Sequence, residues 1–194
     1  MPHPSRPVVL AALLALALGV TASAETRREH VLLATSKTST MQKEMKEAAE
    51  RGYRFDAVMG GETAWGGSEA VVVMSREAGQ AKAEYDYVLL ATNKTSTMQK
   101  EISEAARNGF VYRSQTVFSS LFGGKEVVVI MERARTATAA VFEYKLLATS
   151  KTSTMQKEMG EAEQMGYEVC GMTVGETAFG GKELVVFMRR PAGK

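Results

Sequence analysis

Three lysines open three identical octapeptides, and these segments come nearest to a chemical site. Lys37-Thr38-Ser39-Thr40-Met41-Gln42-Lys43-Glu44 recurs unchanged from Lys94 to Glu101 and from Lys151 to Glu158, at a constant interval of 57 residues. In each copy a lysine and two hydroxyls stand before a helical pattern. A helix N-terminus aims free N–H groups and a partial positive charge at whatever lies beyond it. Lys37, Ser39 and Thr40, with Lys94, Ser96 and Thr97 and with Lys151, Ser153 and Thr154, would therefore suit a small anion. Three such loops would bind a repeating anionic surface, a glycan or lipid headgroups, multivalently. The octapeptide holds no glycine to let a phosphate approach closely, so it is not a nucleotide-type phosphate loop. The competing reading is structural: Ser39 with Gln42, Ser96 with Gln99 and Ser153 with Gln156 have the spacing of a capping box. Serine and glutamine serve caps so commonly that this reading weighs more.

A second set is aromatic. Trp65, Phe122 and Phe179 each stand just before paired glycines, where an exposed ring could stack on a sugar or dip into an interface. Large rings are more often buried than displayed, which favours rings folded back over their own hairpins. Catalysis has few parts to work with. His30 is the only histidine beyond the extreme N-terminus, at the edge of the first strand with Tyr87 and Tyr144 as counterparts, so a zinc site or a Ser-His-Asp arrangement lacks its parts. Cys170 is the single cysteine and aligns with Asp56 and Arg113 of the sister copies, a polar parity that predicts a partly exposed thiol. A thiol with no neighbouring base is weak ground for a nucleophile. Met41/Met45 and Met155/Met159 lie one helical turn apart, a spacing open to Cu(I), but a core-facing stripe needs the same positions. The sequence thus predicts no catalytic residue, no metal site and no cofactor.

The elements that position these residues repeat with them. The copies align without gaps over 30–76, 87–133 and 144–190. Each begins with a short apolar run, Val31 to Ala34 in the first, which reads as a strand. A Thr/Ser-rich turn and a helix follow, the helix with an inward stripe at Met41, Met45 and Ala48. Gly52, Gly109 and Gly166 stand where a left-handed residue would end each helix. A second strand starts at Tyr53, Phe110 or Tyr167 and meets a two-glycine turn suited to a type I′ hairpin. The third strand, Val71 to Met74 in the first copy, is apolar on both parities, so it should be central and covered on both faces. The predicted fold is α+β: three tandem βαββ units with sheet order 1-3-2, packed around a shared core with pseudo-threefold character. A lone unit of this size buries too little surface to fold by itself. While the octapeptide is invariant, Arg54 to Met59 shares no position with both Val111 to Thr116 and Glu168 to Thr173.

Residues 1–24 read as an export leader, with Arg6, an apolar run from Val8 to Val20 and small residues up to a cleavage point after Ala24. The remainder divides into a first unit (25–76), a second with its joint (77–133) and a third with its joint (134–194). No later segment reaches bilayer-spanning length. The formal net charge is +2, one unit of it from Arg6 in the leader, and so small an excess argues against a nucleic-acid partner.

Glu143-Tyr144-Lys145-Leu146-Leu147, the helix end Gln164-Met165-Gly166-Tyr167-Glu168 and the strand end Met188-Arg189-Arg190 resemble the short bacterial βαββ domains of unknown function. That resemblance implies a fold and supplies no activity. In topology alone the unit is also similar to dodecins and to triple-repeat periplasmic stress proteins. The expectation is an exported, periplasmic or extracellular, non-enzymatic module that binds an anionic glycan, lipid headgroup or envelope protein through its three loops. The rival is a structural protein that assembles through its sheets, and a Cys170-dependent enzyme ranks third.

Overall fold

The structure, a computed structural model, describes residues 27–63, 67–119, 125–136, 140–176 and 181–193. The expected leader, the paired-glycine turns in large part, and Trp65, Phe122 and Phe179 lie outside the described residues.

Each apolar run forms a strand and each octapeptide opens a helix. The first repeat is β1 (Arg28–Thr35), α1 (Thr38–Glu50), β2 (Arg54–Thr63) and β3 (Gly67–Glu77). The second is β4 (Tyr85–Thr92), α2 (Thr95–Arg107), β5 (Val111–Ser119) and β6 (Lys125–Ala134). The third is β7 (Phe142–Thr149), α3 (Thr152–Gln164), β8 (Glu168–Glu176) and β9 (Lys182–Pro191). Every repeat makes its own antiparallel sheet, ordered β1-β3-β2, β4-β6-β5 and β7-β9-β8, so the most apolar strand is central in each. The helices end as the glycines predict. Gly52, Gly109 and Gly166 have φ of 87°, 81° and 83°. At the first, the Gly52 amide bonds the Ala49 carbonyl and the Tyr53 amide bonds that of Ala48, which satisfies two carbonyls the helix leaves free.

The repeats stack by one relation applied twice. Helix α1 lies between its own sheet and the outer face of the next sheet, where it meets β4; α2 meets β7 in the same way. On the other flank β2 meets β5, and β5 meets β8. The core is accordingly shared between neighbours. Met41, Met45, Val72 and Met74 of the first repeat form one cluster with Tyr87, Val128 and Ile130 of the second. Met98, Ile102 and Met131 of the second join Tyr144, Val185 and Phe187 of the third. Full burial of one such side chain stabilises the fold by about 1.5–3 kcal/mol.

This layering explains why the central strands are apolar on both parities. Val128 to Met131 and Val186 to Met188 are almost completely buried, because a helix covers each face of their sheets. In β3 the same pattern meets a different fate. Val72 and Met74 are buried under α1, but Val71 and Val73 are only half-buried. Nothing among the described residues covers the outer face of the first sheet, and Leu32 and Met59 on it are 68% and 63% exposed. Among the described residues the stack is open at both ends.

Candidate functional site at the repeat joints

The octapeptides do not form the expected capping box. The N-cap is Lys37, Lys94 or Lys151, with extended backbone and no side-chain cap bond. The helix therefore starts at the first threonine, and Ser39, Ser96 and Ser153 lie inside its first turn. Their backbone is helical, whereas a capping serine must be extended to reach forward to the third helical amide. At the turn itself the hydroxyl oxygens of Thr35, Thr92 and Thr149 accept the Lys37, Lys94 and Lys151 amides at 3.2, 3.1 and 3.2 Å.

The glutamines are released for another task. Gln42 Oε1 accepts the Leu89 amide at 3.0 Å, and Gln99 Oε1 accepts the Leu146 amide at 2.7 Å. Gln99 Nε2 also donates to the Tyr144 carbonyl at 2.9 Å. Each donor amide belongs to β4 or β7, the edge strand of the following sheet. An unpaired edge amide beneath a packed helix would be costly, and the glutamine one turn into the preceding helix satisfies it. The invariant segment thus supplies one residue of the joint between repeats.

A tyrosine completes each joint. Strands β2 and β5 carry a register shift at Phe55/Ala57 and Tyr112/Ser114. The amides freed there donate to the next repeat: Phe55 N–H to Tyr87 Oη at 2.9 Å, Tyr112 N–H to Tyr144 Oη at 2.8 Å. Tyr87 in turn donates to Glu132 at 2.8 Å, and Arg54 of the first repeat bonds the same carboxylate at 2.9 Å. Burial and the nearby Glu132 charge raise the Tyr87 pKa far above its ordinary value, so the phenol stays protonated as this donor. Burial also raises Tyr144, to about 12. Arg54 lies over the Tyr85 ring, 4.2 Å from its centroid. The strands approach closely where residues are small. A methyl group on Gly60 would overlap Val117 and Thr116, and one on Gly171 would overlap Tyr112 and Gln115.

The lysine loops remain at the surface and apart from this machinery. Lys37, Lys94 and Lys151 are exposed, as are Ser39, Ser96 and Ser153, while Thr40, Thr97 and Thr154 are half-buried. Their surroundings differ. An open groove beside α1 is lined by Thr38, Ser39 and Gln42 together with Glu101 of α2, and Glu101 Oε2 is buried without a hydrogen-bond partner among the described residues. Beside α2, Lys94 borders a cavity of about 20 Å³ that Glu183 also lines, room for a water rather than a phosphate.

The remaining chemistry is accounted for by packing. Met41, Met45, Met98 and Met155 are buried in the core clusters. Cys170 stands at the register shift of β8, half-buried, its Sγ donating to the Phe187 carbonyl at 3.4 Å. Burial pushes its pKa up to about 11, the reverse of an activated thiol. Among the described residues no group of three His, Cys, Asp or Glu side chains could hold a metal. No described helix is long and apolar enough to cross a membrane. No family model, curated protein or solved structure matches this chain.

Proposed function

We propose that this is a non-enzymatic, exported interaction protein that binds through the two open faces of its stack. The carrying observation is the division of labour among three identical glutamines. Gln42 and Gln99 hold a following repeat, while Gln156, with the same neighbours in sequence, is exposed at the end of the chain. The joint gives the glutamine of the octapeptide a structural task that needs no ligand. Among the described residues the exposed large apolar side chains, Val141 at the second joint excepted, also favour the ends. Leu32 and Met59 lie on the first sheet, and Met165, Val169, Met172 and Val174 lie on the third repeat.

The test is thermal unfolding of the exported chain with anionic glycans, inorganic phosphate and anionic lipid vesicles, alongside a Lys37/Lys94/Lys151→Ala variant. The proposal expects the same small response from both proteins. A ligand that raises the midpoint of the wild type and not of the variant would return the binding role to the loops.

A further inference from the structure

We infer that the open faces are halves of one interface, and that copies of this chain assemble head to tail, the third repeat of one copy docking on the first repeat of the next. This rests on the reading that the end faces do the binding, and it names their occupant as a second copy. The two internal joints are the template. If the same relation is applied a third time, between chains, each position of the joint meets a defined counterpart; the glutamine and its leucine amide recur at the ends, while His30 stands in place of Tyr87 and Tyr144.

Backbone complementarity comes first. Leu32 is the counterpart of Leu89 and Leu146, whose amides bond Gln42 and Gln99. Neither the Leu32 amide nor the exposed Gln156 side chain has such a partner among the described residues, and the relation brings the two together. Exposed apolar residues stand at the next positions. At the first joint Gly60 lies against Thr116; the corresponding residues at the chain ends are Val174 and Met59, 49% and 63% exposed, larger side chains that set the two strands further apart than Gly60 does. At the second joint Tyr112 and Gln115 lie against Gly171; the corresponding residues are Val169 and Met172 on one end and the exposed Ala57 on the other.

Charge provides the independent argument. Where Arg54 of the first joint covers Tyr85, the chain ends place Glu168 opposite Arg28, both exposed. The helix position filled by the buried Ala49 and Ala106 is the exposed Glu163 in α3. The strand opening of the first repeat, Arg27 and Arg28, replaces Glu84-Tyr85 and Val141-Phe142. The tail thus carries Glu168 and Glu163 where the internal joints have Arg54 or Val111 and an alanine, and the head carries Arg27 and Arg28 where they have Glu84-Tyr85 or Val141-Phe142. Each charge keeps a neighbour of its own, Arg28 with Ser75 and with Asp56 at 3.9 Å, and Glu168 with Arg189 at 2.9 Å. Such exposed pairs exchange partners at little cost. Opposite charges on the two ends give such an interface register and direction, and a heterologous contact of this kind propagates rather than stopping at two copies unless it closes into a ring.

The experiment is sedimentation of the exported chain over a concentration series, at about 0.01 M and at about 1 M salt, where the screening length falls from roughly 30 to roughly 3 Å. The mass should climb past that of a dimer with concentration at low salt and return to the monomer at high salt. Two variants test direction: Leu32→Asp blocks the head and Val174→Asp the tail, with unfolding midpoints confirming that each is folded. Each alone should be monomeric, and a mixture of the two should form a one-to-one pair and stop there. Reversing Arg28→Glu should weaken association about tenfold, with recovery when the partner carries Glu168→Arg. A wild type that stays monomeric at low salt, or a variant that still assembles alone, overturns the inference. In the first case the self-assembly inference fails by itself, and the loop-ligand titration, which reads the loops alone, separately tests the reading it rests on.

Discussion

At the scale of single residues, the same side chain does different work according to its place in the stack. Gln42 and Gln99 each satisfy an edge amide of the next repeat, and removing a partner from a half-buried amide costs about 1 kcal/mol. Gln42→Ala should therefore lower unfolding stability by about that amount, and Gln99→Ala by about 1–2 kcal/mol because it loses a second bond, to Tyr144. Gln156→Ala should leave the monomer unchanged; urea unfolding of the three variants checks the contrast. Cys170 is equally specific. With its pKa raised from 9.0 to about 11, its thiolate fraction at pH 8 falls roughly a hundredfold. Alkylation at pH 8 should be slower by about that factor than for the urea-unfolded chain, and equal rates would refute the burial account. Asp86 illustrates a charge effect. Burial raises its pKa, but the Arg133 and Arg135 hydrogen bonds outweigh this and hold it below the ordinary 3.8. A depressed carboxylate stabilises the fold above its unfolded pKa, and that contribution disappears as the pH falls through the folded value. The difference in midpoint between wild type and Asp86→Asn should shrink as the pH drops below about 4.

At the scale of elements, helix ends and sheet order are legible in the sequence, while the joints are not. Gly52, Gly109 and Gly166 announce the helix ends because only a left-handed residue fits there. Substitution by alanine should cost about 1–2 kcal/mol at each, and more at Gly52, where a methyl group would also press within 2.8 Å of the Gln80 carbonyl. The 1-3-2 order is legible because Val127 to Met131 and Leu184 to Met188 are apolar on both parities, a pattern that only a central, doubly covered strand sustains. The cap misleads because serine with glutamine three residues later has the spacing of a capping box and of a joint alike. The difference between the two is a backbone amide 47 residues further on, and a leucine amide leaves no mark in the side-chain pattern. A fuller signal lies in the comparison of copies: the glutamine stays constant and meets the same leucine amide in each joint, whereas the second strand drifts and makes different contacts at each.

At the scale of the whole molecule, the stack behaves as a short one-dimensional array whose stability comes from units and the contacts between neighbours. Helices α1 and α2 each pack between two sheets, whereas α3 packs on one. In dilute monomer, amide exchange should therefore be faster in α3 than in α1 or α2, and uniform protection of all three would contradict the layering. The open ends have the same origin, because three repeats can make only two joints unless the stack closes on itself. The central claim is that the invariant octapeptide builds the joint, and hydrogen exchange at three equivalent amides tests it most directly. In the high-salt monomer, Leu89 and Leu146 should be protected and Leu32 should exchange freely; Gln42→Ala should release Leu89 alone and Gln99→Ala should release Leu146. Equal exchange at all three amides, or protection at Leu89 that survives Gln42→Ala, would contradict the account.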